Sequence, residues 1–227
     1  VCVCTWRRLS AALWVLVTDR VLFHAPVFLF VFLPIALLGW LAVMRWGKPS
    51  AAVAYLGVVS LAFYGWWSAP HLGLLLVSIG VNYVLGLYLI RLRGQPEAHR
   101  ALVLGIVANL LLLAGFKYAG MLADSYTWLT GVMVKLPEFE LPLGISFFTF
   151  LQIAYLVDLA RDDAPAPGFS PYLLFVTFFP HLIAGPLVHH SELIPQFNRK
   201  SREIPWAGLA SGFTIFLIGL FKKLVLS

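Results

Sequence analysis

Between Lys48 and Arg91 the chain runs through residues 49 to 90, 42 positions in succession, without one Asp, Glu, Lys or Arg. About 20 helical residues cross a hydrocarbon core, so this run can cross twice. Ser68-Ala69-Pro70-His71 falls near its middle. Pro with small polar neighbours reads as the turn between two spans. Trp66 and Trp67 just before it suit a membrane–water interface.

Composition excludes the water-soluble alternatives. Charged residues make up 11% of the chain and hydrophobic ones 61%, against roughly 25% charged in a soluble domain. That leaves too little polar surface to cover a fold of this size in water. Cys2 and Cys4 are too few and too close to build a disulfide scaffold. The net charge of +6 is not a nucleic-acid signature, because the basic residues sit at the ends of apolar runs and form no stripe.

The remaining charge-free intervals complete the map. Residues 21 to 44 can span, with Pro34 expected to kink them. A further span is predicted from Ala101 to Lys117, then an exposed loop over 119–140 with an interfacial helix around Tyr126 to Val134. The next span starts near Leu141 and ends at Asp158 or Arg161, and the last runs from Trp206 to Phe221. Residues 164 to 191 lack those charges yet hold Pro165, Pro167, Pro171, Pro180 and Pro186. The expectation there is a helix from Tyr172 to Phe179 that breaks and turns back. Broken backbone at membrane depth is tolerated only inside protein or along a cavity. The predicted fold is therefore all-α: a polytopic transmembrane bundle of about seven hydrophobic segments with a Pro-broken re-entrant element. Residues 1–20 are set aside as an N-terminal extension of undecided status. Arg45, Lys48 and Arg91 to Arg100 place their loops in the cytoplasm and 119–140 outside, although Arg7, Arg8 and Arg20 oppose this orientation.

Polar groups in apolar spans are the candidates for chemistry. Asn82 and Asn109 are read first as interhelical hydrogen-bonding residues, and Asp158 with Arg161 as a local helical pair. Ser146, Thr149, Gln152 and Tyr155 recur every three residues and are expected to form one polar stripe, facing either a substrate path or another helix. His181, His189 and His190 fall in the broken, polar region, where acid–base work is open to them. His189-His190 with Glu192 lacks the ligand spacing of a metal site, and no metal is expected. Ser191 beside these histidines does not make a hydrolytic triad.

Several segments resemble the membrane-bound O-acyltransferases. They are Leu141-Pro142-Leu143-Gly144-Ile145-Ser146-Phe147-Phe148-Thr149-Phe150, Gln152 to Asp158, Phe178 to Val188, His189 to Phe197, and Gly219 to Lys223. Leu22 to Pro26 and Phe28 to Pro34 resemble the family's opening. The form Ile183-Ala184-Gly185-Pro186 is most similar to the bacterial alginate O-acetylation branch. The resemblance covers residues 21–227 and looks like the N-terminal portion of such a protein. It implies a multi-pass protein of the bacterial inner membrane. Such a protein moves an acyl group, typically acetyl, from a cytoplasmic thioester donor such as acetyl-coenzyme A toward a hydroxyl of an exported polysaccharide. It implies no bound cofactor, and a periplasmic acetyltransferase as a partner beside the lipid bilayer. The family's histidine is expected beyond Ser227, so no catalytic residue is carried onto this sequence, and the chain alone is expected to be inactive. Ser146, Gln152, His181, His189 and His190 are the substrate-path candidates. A flippase of lipid-linked sugars and a docking subunit of a polysaccharide-modification complex are the competing readings.

Overall fold

The computed structural model describes residues 25–131, 141–161, 166–182 and 206–225, and every regular element among them is helical. A π-helical turn, Phe28–Phe32, leads into α1 (Leu33–Trp46). Pro34 lies in the first turn of α1. The wider turn before it hands the Leu33 N–H to the Phe28 carbonyl, five residues back. A π turn is one of the ways a helix accommodates a local interruption. Helices α2 (Pro49–Trp67) and α3 (Ala69–Arg91) meet at Ser68, where the turn was predicted. Pro70 falls in the first turn of α3, where a missing N–H breaks no ladder.

Helix α4 (Pro96–Thr130) corrects the sequence reading. The stretch after Lys117 is not a loop as far as Thr130, because α4 continues through it unbroken. Charge at Lys117 and Asp124 ends an apolar run but does not end a helix. What ends it is Gly131, in the left-handed region at φ 72°, whose N–H bonds the Thr127 carbonyl at 2.9 Å. The remainder of the predicted loop and interfacial helix, 132–140, lies outside the described residues. Helix α5 (Ile145–Arg161) begins four residues after Leu141, where a span was expected to start, and ends at Arg161. It is followed by α6 (Phe169–Thr177), the short α7 (Phe179–Leu182) and α8 (Trp206–Val225).

Among the described residues, three helical stretches are long and apolar enough to cross a membrane: Phe28–Trp46, Ala69–Arg91 and Pro96–Thr130. Ser50–Trp66 and Trp206–Lys222 are shorter apolar helices. At ~1.5 Å per residue α4 is ~52 Å long, well beyond a hydrocarbon core of ~30 Å. Its faces are arranged for an apolar solvent. Leu104 and Leu111 are 69% and 66% exposed, while Gly105 and Asn109 on the same helix are buried.

The chain forms two compact units, residues 1–55 with 199–227, and residues 56–198. In the first, the Tyr55 hydroxyl donates to the Ile35 carbonyl at 3.2 Å, across a face kept clear by Gly39. In the second, α5 is the hub and packs against α3, α4 and α6. Its core joins Leu75 and Ile79 of α3 to Phe148, Leu151, Tyr155 and Leu156 of α5 and Tyr172 and Phe175 of α6. Gly86 admits α5, since a Cβ there would stand 2.7 Å from the Tyr155 ring and 2.9 Å from Leu159. Tyr155 in turn packs on Tyr172, with ring centroids 4.1 Å apart.

Candidate functional site

The first candidate feature is the break between α6 and α7. Phe178 leaves the helix with ψ 105°, one residue before the predicted end, and Pro180 is the second residue of α7. A break inside an apolar bundle exposes backbone donors and acceptors that must find partners. Two side chains one turn apart on α2 hold the region together. Ser60 Oγ accepts the Phe179 N–H at 3.3 Å, and the Tyr64 hydroxyl donates to the Leu143 carbonyl at 3.1 Å. Leu143 belongs to the turn that opens α5, and its neighbour Gly144 has φ 67°. A Cβ on Gly144 would lie 2.6 Å from the Leu182 carbonyl oxygen. The turn before α5 and the end of α7 therefore meet backbone to backbone, which only glycine permits here.

His181 lies within this construction. Its ring stands 5.5 Å from Phe147 and 5.3 Å, edge-on, from Phe178. Its Nε2 is 3.3 Å from the Phe175 carbonyl. A carbonyl can only accept, so this bond places a proton on Nε2 and fixes the ring's orientation. Whether the chain turns back after Leu182 falls outside the described residues, as do His189 and His190.

The second feature is a cluster of amides shared by α3, α4 and α5. Asn109 Nδ2 donates to its own helix at Gly105 O (2.8 Å) and to Asn82 Oδ1 (2.7 Å). Asn82 Nδ2 lies within reach of Ser78 O (3.0 Å), Asn109 Oδ1 (3.1 Å) and Gln152 Oε1 (2.7 Å). Ser78 Oγ also donates to Gln152 Oε1 at 2.7 Å. All four residues are buried. The two backbone contacts settle which end of each asparagine is nitrogen, and hence which end of Gln152 is oxygen. Asn82 and Asn109 are thus interhelical partners, as expected. Ser78 was missed, although its position four residues before Asn82 puts it on the same face. Ser60 and Tyr64 carry no sequence signal, because their partners are backbone atoms 119 and 79 residues away.

The predicted stripe on α5 is only partly formed. Thr149, Gln152 and Tyr155 are buried, but Ser146 is exposed. At ~100° per residue, each three-residue step lags a full turn by ~60°. Four members spaced this way finish on opposite sides of a helix, so Ser146 and Tyr155 cannot share a face. Asp158 is half-buried and Arg161 exposed at the end of α5. Nearby, Arg93 donates through Nε and Nη2 to the Leu159 carbonyl at 3.3 and 3.0 Å. Among the described residues no three His, Cys, Asp or Glu side chains gather as metal ligands would. Of the sequence candidates, Gln152 and His181 lie in the core and Ser146 on the surface.

No family model matches the chain, and no solved structure matches it. Curated proteins do. A peptidoglycan O-acetyltransferase of Helicobacter pylori is 37% identical over 91% of this chain. The probable alginate O-acetylases AlgI of Azotobacter vinelandii and Pseudomonas aeruginosa are each 37% identical over 90% of it. The chain spans 44%, 41% and 39% of the length of these three relatives. These relatives belong to the membrane-bound O-acyltransferase family, and this apolar, helical chain matches a part of their length.

Proposed function

We propose that this chain is part of a membrane O-acetyltransferase of the bacterial inner membrane, acting on an exported polysaccharide. The observation that carries this is the extent of similarity: about nine-tenths of the chain aligns with proteins named for O-acetyl transfer. The packing supports it, because segments that are far apart in sequence and share the family pattern, around Gly144 and around His181, touch each other. In the reaction the thioester C–S bond breaks, an ester C–O bond forms, and the acceptor hydroxyl's proton passes to the departing thiolate. The donor is a cytoplasmic acyl thioester of the acetyl-coenzyme A type. The acceptor is a polysaccharide hydroxyl, reached directly or through a periplasmic acetyltransferase partner.

On this reading the chain has about seven hydrophobic membrane segments, one of which enters and turns back. Its break at Phe178 opens a re-entrant element whose buried face carries His181. Gln152, His181, His189 and His190 border the path of the acyl group, with Ser146 at its edge, and none of them is assigned the transfer step. Deleting the gene in its host tests the reading. The expected result is loss of O-acetyl esters from the exported polysaccharide, with polymer export intact. Unchanged ester content would overturn the proposal, and lost export of sugar chains would point instead to a flippase.

A further inference from the structure

Thr149 behaves unlike the other helical threonines among the described residues, and unlike Ser125. Ser125, Thr127, Thr130, Thr177 and Thr214 each donate to the carbonyl four residues back, at 2.7–2.8 Å. Thr177 does so while fully buried, so burial does not prevent it. Thr149 is 1% exposed, and its Oγ1 has no partner. One turn along α5, Gln152 is fully buried, with Oε1 committed to Ser78 and Asn82. Its Nε2 has no partner either. Side chains three apart on a helix are neighbours, with Cβ atoms about 5–6 Å apart. A buried polar group left unpaired is costly, about 1–3 kcal/mol, and two occur here on residues one helical turn apart.

We propose that Thr149 Oγ1 and Gln152 Nε2 together hold a single oxygen ligand in the core of the bundle. The chemistry narrows what it can be. The carboxamide nitrogen can only donate, which excludes a cation and requires an acceptor; the hydroxyl can donate or accept. The oxygen is that of a buried water molecule or the carbonyl oxygen of an acyl group, and the second source rests on the proposed acetyl transfer. The amide cluster acts as the support: by holding Gln152 Oε1, Ser78 and Asn82 aim Nε2 at the ligand.

The experiment compares Thr149→Val, close in shape but without the hydroxyl, with Thr149→Ser, which keeps it. Both are made in the protein as expressed in its host membrane and read by melting temperature in detergent and by acetyl transfer from labelled acetyl-coenzyme A. If a water is held, Thr149→Val melts about 3 °C lower with or without donor, transfer per folded molecule is unchanged, and Thr149→Ser behaves as wild type. If the acyl carbonyl is held, Thr149→Val does not melt lower without donor, while kcat falls about tenfold and Thr149→Ser restores it. An unlowered melting temperature with unchanged transfer overturns the site. So does equal damage by both variants, because the hydroxyl would then not be the cause. Should the protein transfer no acetyl at all, the melting arm still decides the water site while the proposed function falls separately.

Discussion

The amide cluster and the helix break are both polar islands within residues 56–198, and they are satisfied in opposite ways. In the cluster, side chains answer side chains: Asn109 donates to Asn82, and Gln152 accepts from Ser78 and Asn82. At the break, side chains answer backbone: Ser60 takes the Phe179 N–H and Tyr64 serves the Leu143 carbonyl. The cluster needs only that three regular helices place three residues at one level. The break needs irregular backbone, a positive-φ glycine and partners remote in the chain. One is a lock between intact helices, the other a repair of an interrupted one. They should respond differently to damage.

The largest effect is expected from Asn82→Leu. It leaves Asn109 with only its bond to the Gly105 carbonyl and removes a donor from Gln152, at a cost of about 2–3 kcal/mol. Denaturation in mixed micelles measures it. The double variant Asn82→Leu/Asn109→Leu should cost clearly less than the two singles added together, because removing both partners strands fewer groups. Additive losses would show that the two amides do not act as a pair. Gly144→Ala comes next. A non-glycine residue at φ 67° costs roughly 1–2 kcal/mol, and the new methyl must also displace the Leu182 carbonyl. Here the sharper readout is local: proteolysis near the break should quicken more than global stability falls. If cleavage elsewhere in the chain rises equally, the break is not a separate device. Tyr64→Phe should do least, about 1 kcal/mol for one hydroxyl bond, seen as a small shift in the same denaturation midpoint. A loss larger than that of Asn82→Leu would reverse the ranking of the two islands.

Much of the cluster was legible in advance, and little of the break. Asn82 and Asn109 stood out because an amide in an apolar span has few uses except meeting another polar group. Gln152 was marked differently, as one member of a stripe recurring every three residues that faced either a substrate path or another helix. Ser146 was marked too, and wrongly placed on the same face, because regular spacing of three is not the period of a helix. The Pro-rich stretch announced that the backbone must break, but not that Ser60 and Tyr64 would attend to it. Charges at the ends of apolar runs located several of the helices, and they misjudged α4, where the helix outlasts the apolar run.

The division follows from range. Lipid as solvent, helices as the only regular element among the described residues and the sites of interruption were all readable from the chain, because hydropathy, charge and Pro act locally, within one span. Which face of α5 turns inward, where Gly86 and Gly144 allow close approach, and which two atoms on Thr149 and Gln152 stay without a protein partner were settled only by packing. Those outcomes depend on residues about 30 to 120 positions apart meeting at one depth, and no local pattern encodes such a meeting.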